Sequence, residues 1–226
     1  MRFQDAAKDA RTVVYAGIQA DPLVARLAAL AADATYPQRL MARAVMNGES
    51  TDPATWRTVF PTVLGPGAPD PERAEALLAA SLAVAERGEQ ARSQYRGAFV
   101  EELTQVLVGR RVATAPAAAI RRERRILFDG VPAEIHPYDL TVELPGRAEA
   151  WDCKWGARGI NADVLNQLDD ARRHAADEEA ALRVGLVVYD VRTSCAVRLA
   201  QQTAQRAGTL VVTLETLDVL GGKKPA

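Results

Sequence analysis

Two β-like runs, YDLTVEL (138–144) and AEAWDCKW (148–155), flank a Pro145-Gly146 turn, and no other feature constrains this chain as strongly. A turn that short joins the runs as antiparallel neighbours in a hairpin. In the second run Trp151, Cys153 and Trp155 then point one way, with Asp152 and Lys154 together on the other face. ILFDG (126–130) reads as a preceding strand. LRVGLVVYD and TLVVTLETL are apolar and β-branched, the pattern of buried strands. RGAFVEELTQVLVGR is an amphipathic helix ending near Gly109, and ADVLNQLDDARRHAADEEA is another, capped by Asn161 or Asp163. TSCAVRLAQQTAQRAG is a third, capped by Thr193 or Ser194 and closed by Gly208. The order α-β-β-β-α-β-α-β predicts an α/β fold, a mixed sheet flanked by helices.

The first 90 residues read as helices only. Asp21-Pro22, Asp52-Pro53 and Asp70-Pro71 each set an N-cap before a proline at the first helical position. YPQRLMARAVMNG closes on Gly48, and ERAEALLAASLAVAERGEQARSQ predicts one long Ala-rich helix. The expected organisation is therefore a helical region over 1–90 and a mixed-sheet domain over 91–226.

Charge excludes a global pull toward polyanions, since the net charge is −1. A local patch exists nonetheless. Residues 91–135 hold eight arginines against five acids, and Arg121, Arg122, Arg124 and Arg125 lie together in IRRERR. Such a run is most often a solvated helix or loop; against nucleic acid it becomes a phosphate contact. Cys153 and Cys195 lack metal-ligand spacing, which fits a reducing cytoplasm. No run approaches the ~18 apolar residues of a membrane span, so a cytoplasmic protein without a membrane partner is expected.

Lysine is rare here, four against 24 arginines, so Lys154 in mid-strand needs a reason specific to an ammonium group. The hairpin can set Asp139 and Asp152 side by side on neighbouring strands. Paired carboxylates repel and are costly to bury bare. A hard cation such as Mg²⁺, which takes one or two carboxylates plus water and phosphate oxygens, resolves the conflict. Lys154 would then sit beside the metal-bound water, as a compact charge whose pKa can move. The plainer reading is an exposed charge pair on an edge strand.

Asp139, the Asp152-Cys153-Lys154 triplet and the element order around them resemble the PD-(D/E)XK nuclease superfamily over roughly residues 95–218. The motif's proline is replaced by Tyr138, with Pro137 one place early. The resemblance implies a restriction-endonuclease-like core, here behind an all-α N-terminal region. It further implies hydrolysis of phosphodiester bonds, of DNA more than RNA, with Mg²⁺ or Mn²⁺, in restriction, anti-phage defence, recombination or repair. Asp139, Asp152 and the Cys153 carbonyl would hold the metal. A glutamate on the preceding helix completes the family's set: spacing after Gly97 favours Glu101, whereas helical periodicity places Glu102 nearer the apolar edge. Gln167, with Asn166 next, matches the polar residue on the following helix, although a surface glutamine is the plainer reading. His136 is a weak candidate for substrate contact, and His174 reads as a helix-surface residue. Cleavage of both strands implies a homodimer, and the helical region would position substrate, dimerise, regulate or bind a partner protein. The alternative is a non-catalytic nucleic-acid- or protein-binding module on the same fold.

Overall fold

A computed structural model describes residues 1–7, 10–115, 117–132, 136–202 and 209–223, with the backbone alone for 10–12. The chain divides into two compact units, Ala10–Val106 and Met1–Asp9 with Leu107–Ala226.

The first unit is built from helices α1 (Ala10–Gln19), α2 (Pro22–Ala32), α3 (Tyr36–Asn47), α4 (Pro53–Val59), α5 (Pro61–Leu64), α6 (Pro71–Ala85) and the greater part of α7 (Glu89–Val112). Asp21, Asp52 and Asp70 each cap a helix by accepting a backbone N–H, with proline following as expected. Thr35 and Gln38 form a reciprocal capping box at α3. The long Ala-rich helix expected to reach residue 94 breaks earlier, at 86–88. There the Arg87 guanidinium lies 4.0 Å from the centre of the Tyr95 ring and pairs with Asp21. Gly88 is the local weak point for a helix, and this contact brackets the break there.

The second unit contains β1 (Arg2–Asp5), β2 (Ala119–Phe128), β3 (Val131–Pro132), β4 (Tyr138–Leu144), β5 (Arg147–Lys154), α8 (Ala162–Asp177), β6 (Leu182–Val188), α9 (Arg192–Ala200) and β7 (Leu210–Val212). The strands form one mixed sheet in the order β1-β2-β4-β5-β6-β7, with β3 paired to β2. β2, β4 and β5 run antiparallel, while β5, β6 and β7 are parallel and connected through α8 and α9. The fold is therefore mixed α/β, a seven-stranded sheet flanked by helices. One core lies where α8 and α9 cover the sheet, around Ile126, Tyr138, Leu165, Leu168, Leu186 and Cys195. Gly146, at φ 74°, provides the left-handed residue of the Pro-Gly turn between β4 and β5.

Several expectations need correcting. The N-terminal stretch is not wholly helical, because β1 pairs with β2 and Phe3 packs against the sheet core. Four residues carry too short a pattern to read without their partner. IRRERR is neither helix nor loop: β2 begins at Ala119, and Arg122 and Arg124 pair with Leu140 and Tyr138. The strand expected over 209–217 is cut to Leu210–Val212, because Thr213 donates its N–H to Thr216 Oγ1 and the chain turns. Neither Thr193 nor Ser194 caps α9. The Arg192 N–H instead donates to Glu215, at 2.9 and 3.0 Å to its two oxygens. Asn161 caps α8. Gly208 lies outside the described residues. No single helix among the described residues is long and apolar enough to cross a membrane.

Candidate functional site

Antiparallel pairing of β4 with β5 matches Leu140 to Trp151, and one residue further along each strand stand Asp139 and Asp152. Directly opposed residues share a face, so the register brings the two acids to the same side of the sheet. Asp139 Oδ2 accepts the Cys153 backbone N–H at 2.6 Å. Lys154 Nζ donates to Asp152 Oδ1 at 2.5 Å. Burial alone would push the Lys154 ammonium toward its neutral form, but the charges of Asp139 and Asp152 outweigh it and raise its pKa above the ordinary 10.5. Asp139, Asp152 and Lys154 thus form one electrostatic cluster. Asp152 is only 6% exposed, and its second oxygen has no hydrogen-bond partner among the described residues.

The turn after β5 holds the lysine in place. Residues Ala157–Gly159 form a 3₁₀ turn whose Ala157 N–H donates to buried Asp190 at 2.9 Å. A Cβ on Gly159 would stand 2.8 Å from Lys154 Cβ and Cγ, so only glycine lets the turn press on the lysine stem. Trp155 leaves the strand and stacks on Tyr189, with ring centres 5.3 Å apart. In the sequence Asp190 ends the buried strand LRVGLVVYD and Gly159 falls in a loop, and neither pattern signals its contact at the turn after β5.

Gln167 is not a surface residue. It is 8% exposed on α8, its Oε1 accepts the His136 backbone N–H at 3.4 Å, and its carbonyl accepts the Tyr138 hydroxyl at 3.4 Å. It therefore braces the segment that leads into Asp139. Asn166 and the His136 side chain are exposed, and His174, also exposed, stacks on Phe128 at 5.4 Å between ring centres. Cys153 and Cys195 are buried free thiols.

Glu101 and Glu102 belong to the helical unit. Periodicity favoured Glu102 for the buried position, yet Glu101 is the buried one, at 5% exposure. Its two oxygens accept Tyr15 Oη at 2.5 Å and Gln19 Nε2 at 2.6 Å. Helix α1 thus supplies polar partners that the pattern of α7 alone does not reveal. Of the four arginines on β2, Arg124 pairs with Asp5 and Glu143, which makes it a strand-to-strand tie. Arg121 is exposed, while Arg122 and Arg125 are half-buried.

As a cation site the donor set is small. No group of three or more His, Cys, Asp or Glu gathers to hold a metal among the described residues. Two carboxylates facing one ammonium still leave a net negative charge and an open Asp152 oxygen. That donor set fits a hard divalent ion, which takes one or two carboxylates and completes its shell with water.

No protein-family model and no curated protein matches this sequence. Among solved structures, the crystal structure of protein VC1899 from Vibrio cholerae is similar in fold, with a TM-score of 0.51 at 16% identity. The alignment covers 98% of this chain and 57% of that one, so this chain spans little more than half its length.

Proposed function

We propose that this chain is a Mg²⁺-dependent nuclease of the PD-(D/E)XK type, acting on phosphodiester bonds of nucleic acid and on DNA in preference to RNA. One observation carries the reading: Asp139, Asp152 and Lys154, from adjacent antiparallel strands, converge in one cluster in which Asp152 keeps an open oxygen. The surrounding order, antiparallel β2, β4 and β5 followed by a helix and a parallel strand, supports the reading because it resembles the element order of this superfamily.

In this reading Asp139 and Asp152 would hold the ion, and the resemblance adds the Cys153 backbone carbonyl as a third ligand. When bound, Mg²⁺, or Mn²⁺ in its place, supplies an acidified water and offsets charge on the phosphate. Lys154, as an ammonium, donates to the attacking water or a phosphate oxygen and stabilises charge that develops there. Asp152 and the Gly159 turn aim that ammonium, and Gln167 holds the entry to Asp139. Arg121 contacts the nucleic-acid backbone without reading sequence. Glu101 and Glu102 enter only through the resemblance. Cleavage of both strands requires two copies, and defence against foreign DNA or repair is the setting the resemblance implies.

The test is incubation of the purified chain with plasmid and single-stranded DNA plus Mg²⁺ or Mn²⁺. Cleavage that disappears with EDTA, and in Asp152→Ala and Lys154→Ala, is the expected result. A second reading, a binding module on the same fold, is favoured by two features: Lys154 sits on Asp152 itself, and the described residues offer two gathered carboxylates rather than three. Intact DNA that is nevertheless retained by the wild-type protein would decide for it.

A further inference from the structure

The opposite end of β5 has the reverse charge balance. A cavity of about 590 Å³ is lined by Arg111, Arg147, Glu149 and Arg183, with Val112 and Leu144 also in its wall. Its charged lining is three guanidiniums and one carboxylate, a net charge of +2. Glu149 forms a direct ion pair with only one of the three, Arg111. Its oxygens accept both terminal nitrogens of Arg111, at 2.7 and 2.5 Å, and one of them also accepts Trp151 Nε1 at 3.1 Å. Burial would raise the Glu149 carboxyl, but Arg111, Trp151 and Arg183 together bring it below the ordinary carboxylate value.

That pair fixes Arg111, while Arg183 feels Glu149 only through its charge. Neither Arg147 nor Arg183 has an ion-pair partner among the described residues. The Arg183 guanidinium lies 5.6 Å from the centre of the Trp151 ring, a stacking partner that orients it before any ligand arrives. Two like charges at one concave site repel, and an oxyanion between them removes the repulsion while accepting from both. The cavity lies in the range that encloses a small organic molecule.

We propose that this cavity binds a small phosphomonoester, its dianionic phosphate between Arg147 and Arg183 and its body against the wall of Val112 and Leu144. The site is independent of the nuclease reading, since Asp139, Asp152 and Lys154 do not line it.

The test is calorimetric titration of the full chain with a nucleoside monophosphate, the parent nucleoside and inorganic phosphate. The monophosphate should bind at millimolar concentration or better and more tightly than phosphate alone, with no binding of the nucleoside. Arg147→Ala with Arg183→Ala should weaken it by about tenfold or more. Both residues are exposed, so the double variant should keep the wild-type circular dichroism. Asp152→Asn should leave the isotherm unchanged. Equal affinity in the double variant, equal binding of the nucleoside, or no binding of the monophosphate overturns the proposal.

Discussion

Strand β5 carries a charged cluster at each end, and the two are built in opposite ways. At its start Arg111 forks onto both oxygens of Glu149, one of which also accepts Trp151 Nε1, so both oxygens are occupied. At its end the single point charge of Lys154 meets one oxygen of Asp152 and leaves the other open. Arg147 and Lys154 are seven residues apart, about 23 Å along an extended strand. Their ligand preferences are inverse as well. One carboxylate among three guanidiniums suits an anion, whereas two carboxylates around one ammonium suit a cation. A bidentate arginine makes a satisfied structural pair; a lysine between two acids makes an incomplete one. The choice of lysine over arginine at 154 is therefore a difference in what the site still lacks.

The largest expected effect separates the structural pair from the open one. Arg111→Ala leaves Glu149 buried without its partner and should destabilise the fold by about 3 kcal/mol in urea unfolding. A loss below about 1 kcal/mol would mean that the pair behaves as a solvated surface bridge. The pH dependence follows from the sign of the shift. The folded-state value of Glu149 lies below its ordinary 4.5. Its stabilisation is therefore complete above that value and fades as pH falls through the depressed one. The gap between wild type and Arg111→Ala should narrow in acid and stay constant from pH 6 to 8.

At the other end, Gly159→Ala places a methyl group against the Lys154 stem. If cleavage occurs, it should fall about tenfold or more, since small displacements of a reacting group are costly. Phosphomonoester binding at the far cluster should not change, and an effect on both would show that the two ends are coupled. Glu215→Ala removes the cap of α9 and should cost about 1 kcal/mol in thermal unfolding. Arg121→Ala should have the smallest effect, a uniform weakening of DNA binding that lowers the salt slope by about one.

The parts legible in the sequence were those fixed within a few residues. The Asp-Pro caps, the Pro-Gly hairpin and the period-2 alternation all put the chemistry and its element into one short segment. Asp139, Asp152 and Lys154 could be read together because a single tight turn joins their strands. What escaped was set by distant partners. β1 needs β2, the cap of α9 comes from Glu215, and the bidentate partner of Glu149 is Arg111 on another element. Glu101 shows the same limit at a candidate site residue. The periodicity of α7 ranks its own faces and is silent about Tyr15 and Gln19, which bind the side chain it ranked lower.

Manganese binding tests the central idea without relying on turnover. Titration of the wild-type chain with Mn²⁺, followed by loss of the free-ion paramagnetic resonance signal, should show a bound ion that disappears in Asp139→Asn with Asp152→Asn and persists in Arg147→Ala. Superimposable curves for the wild type and the double aspartate variant would contradict it.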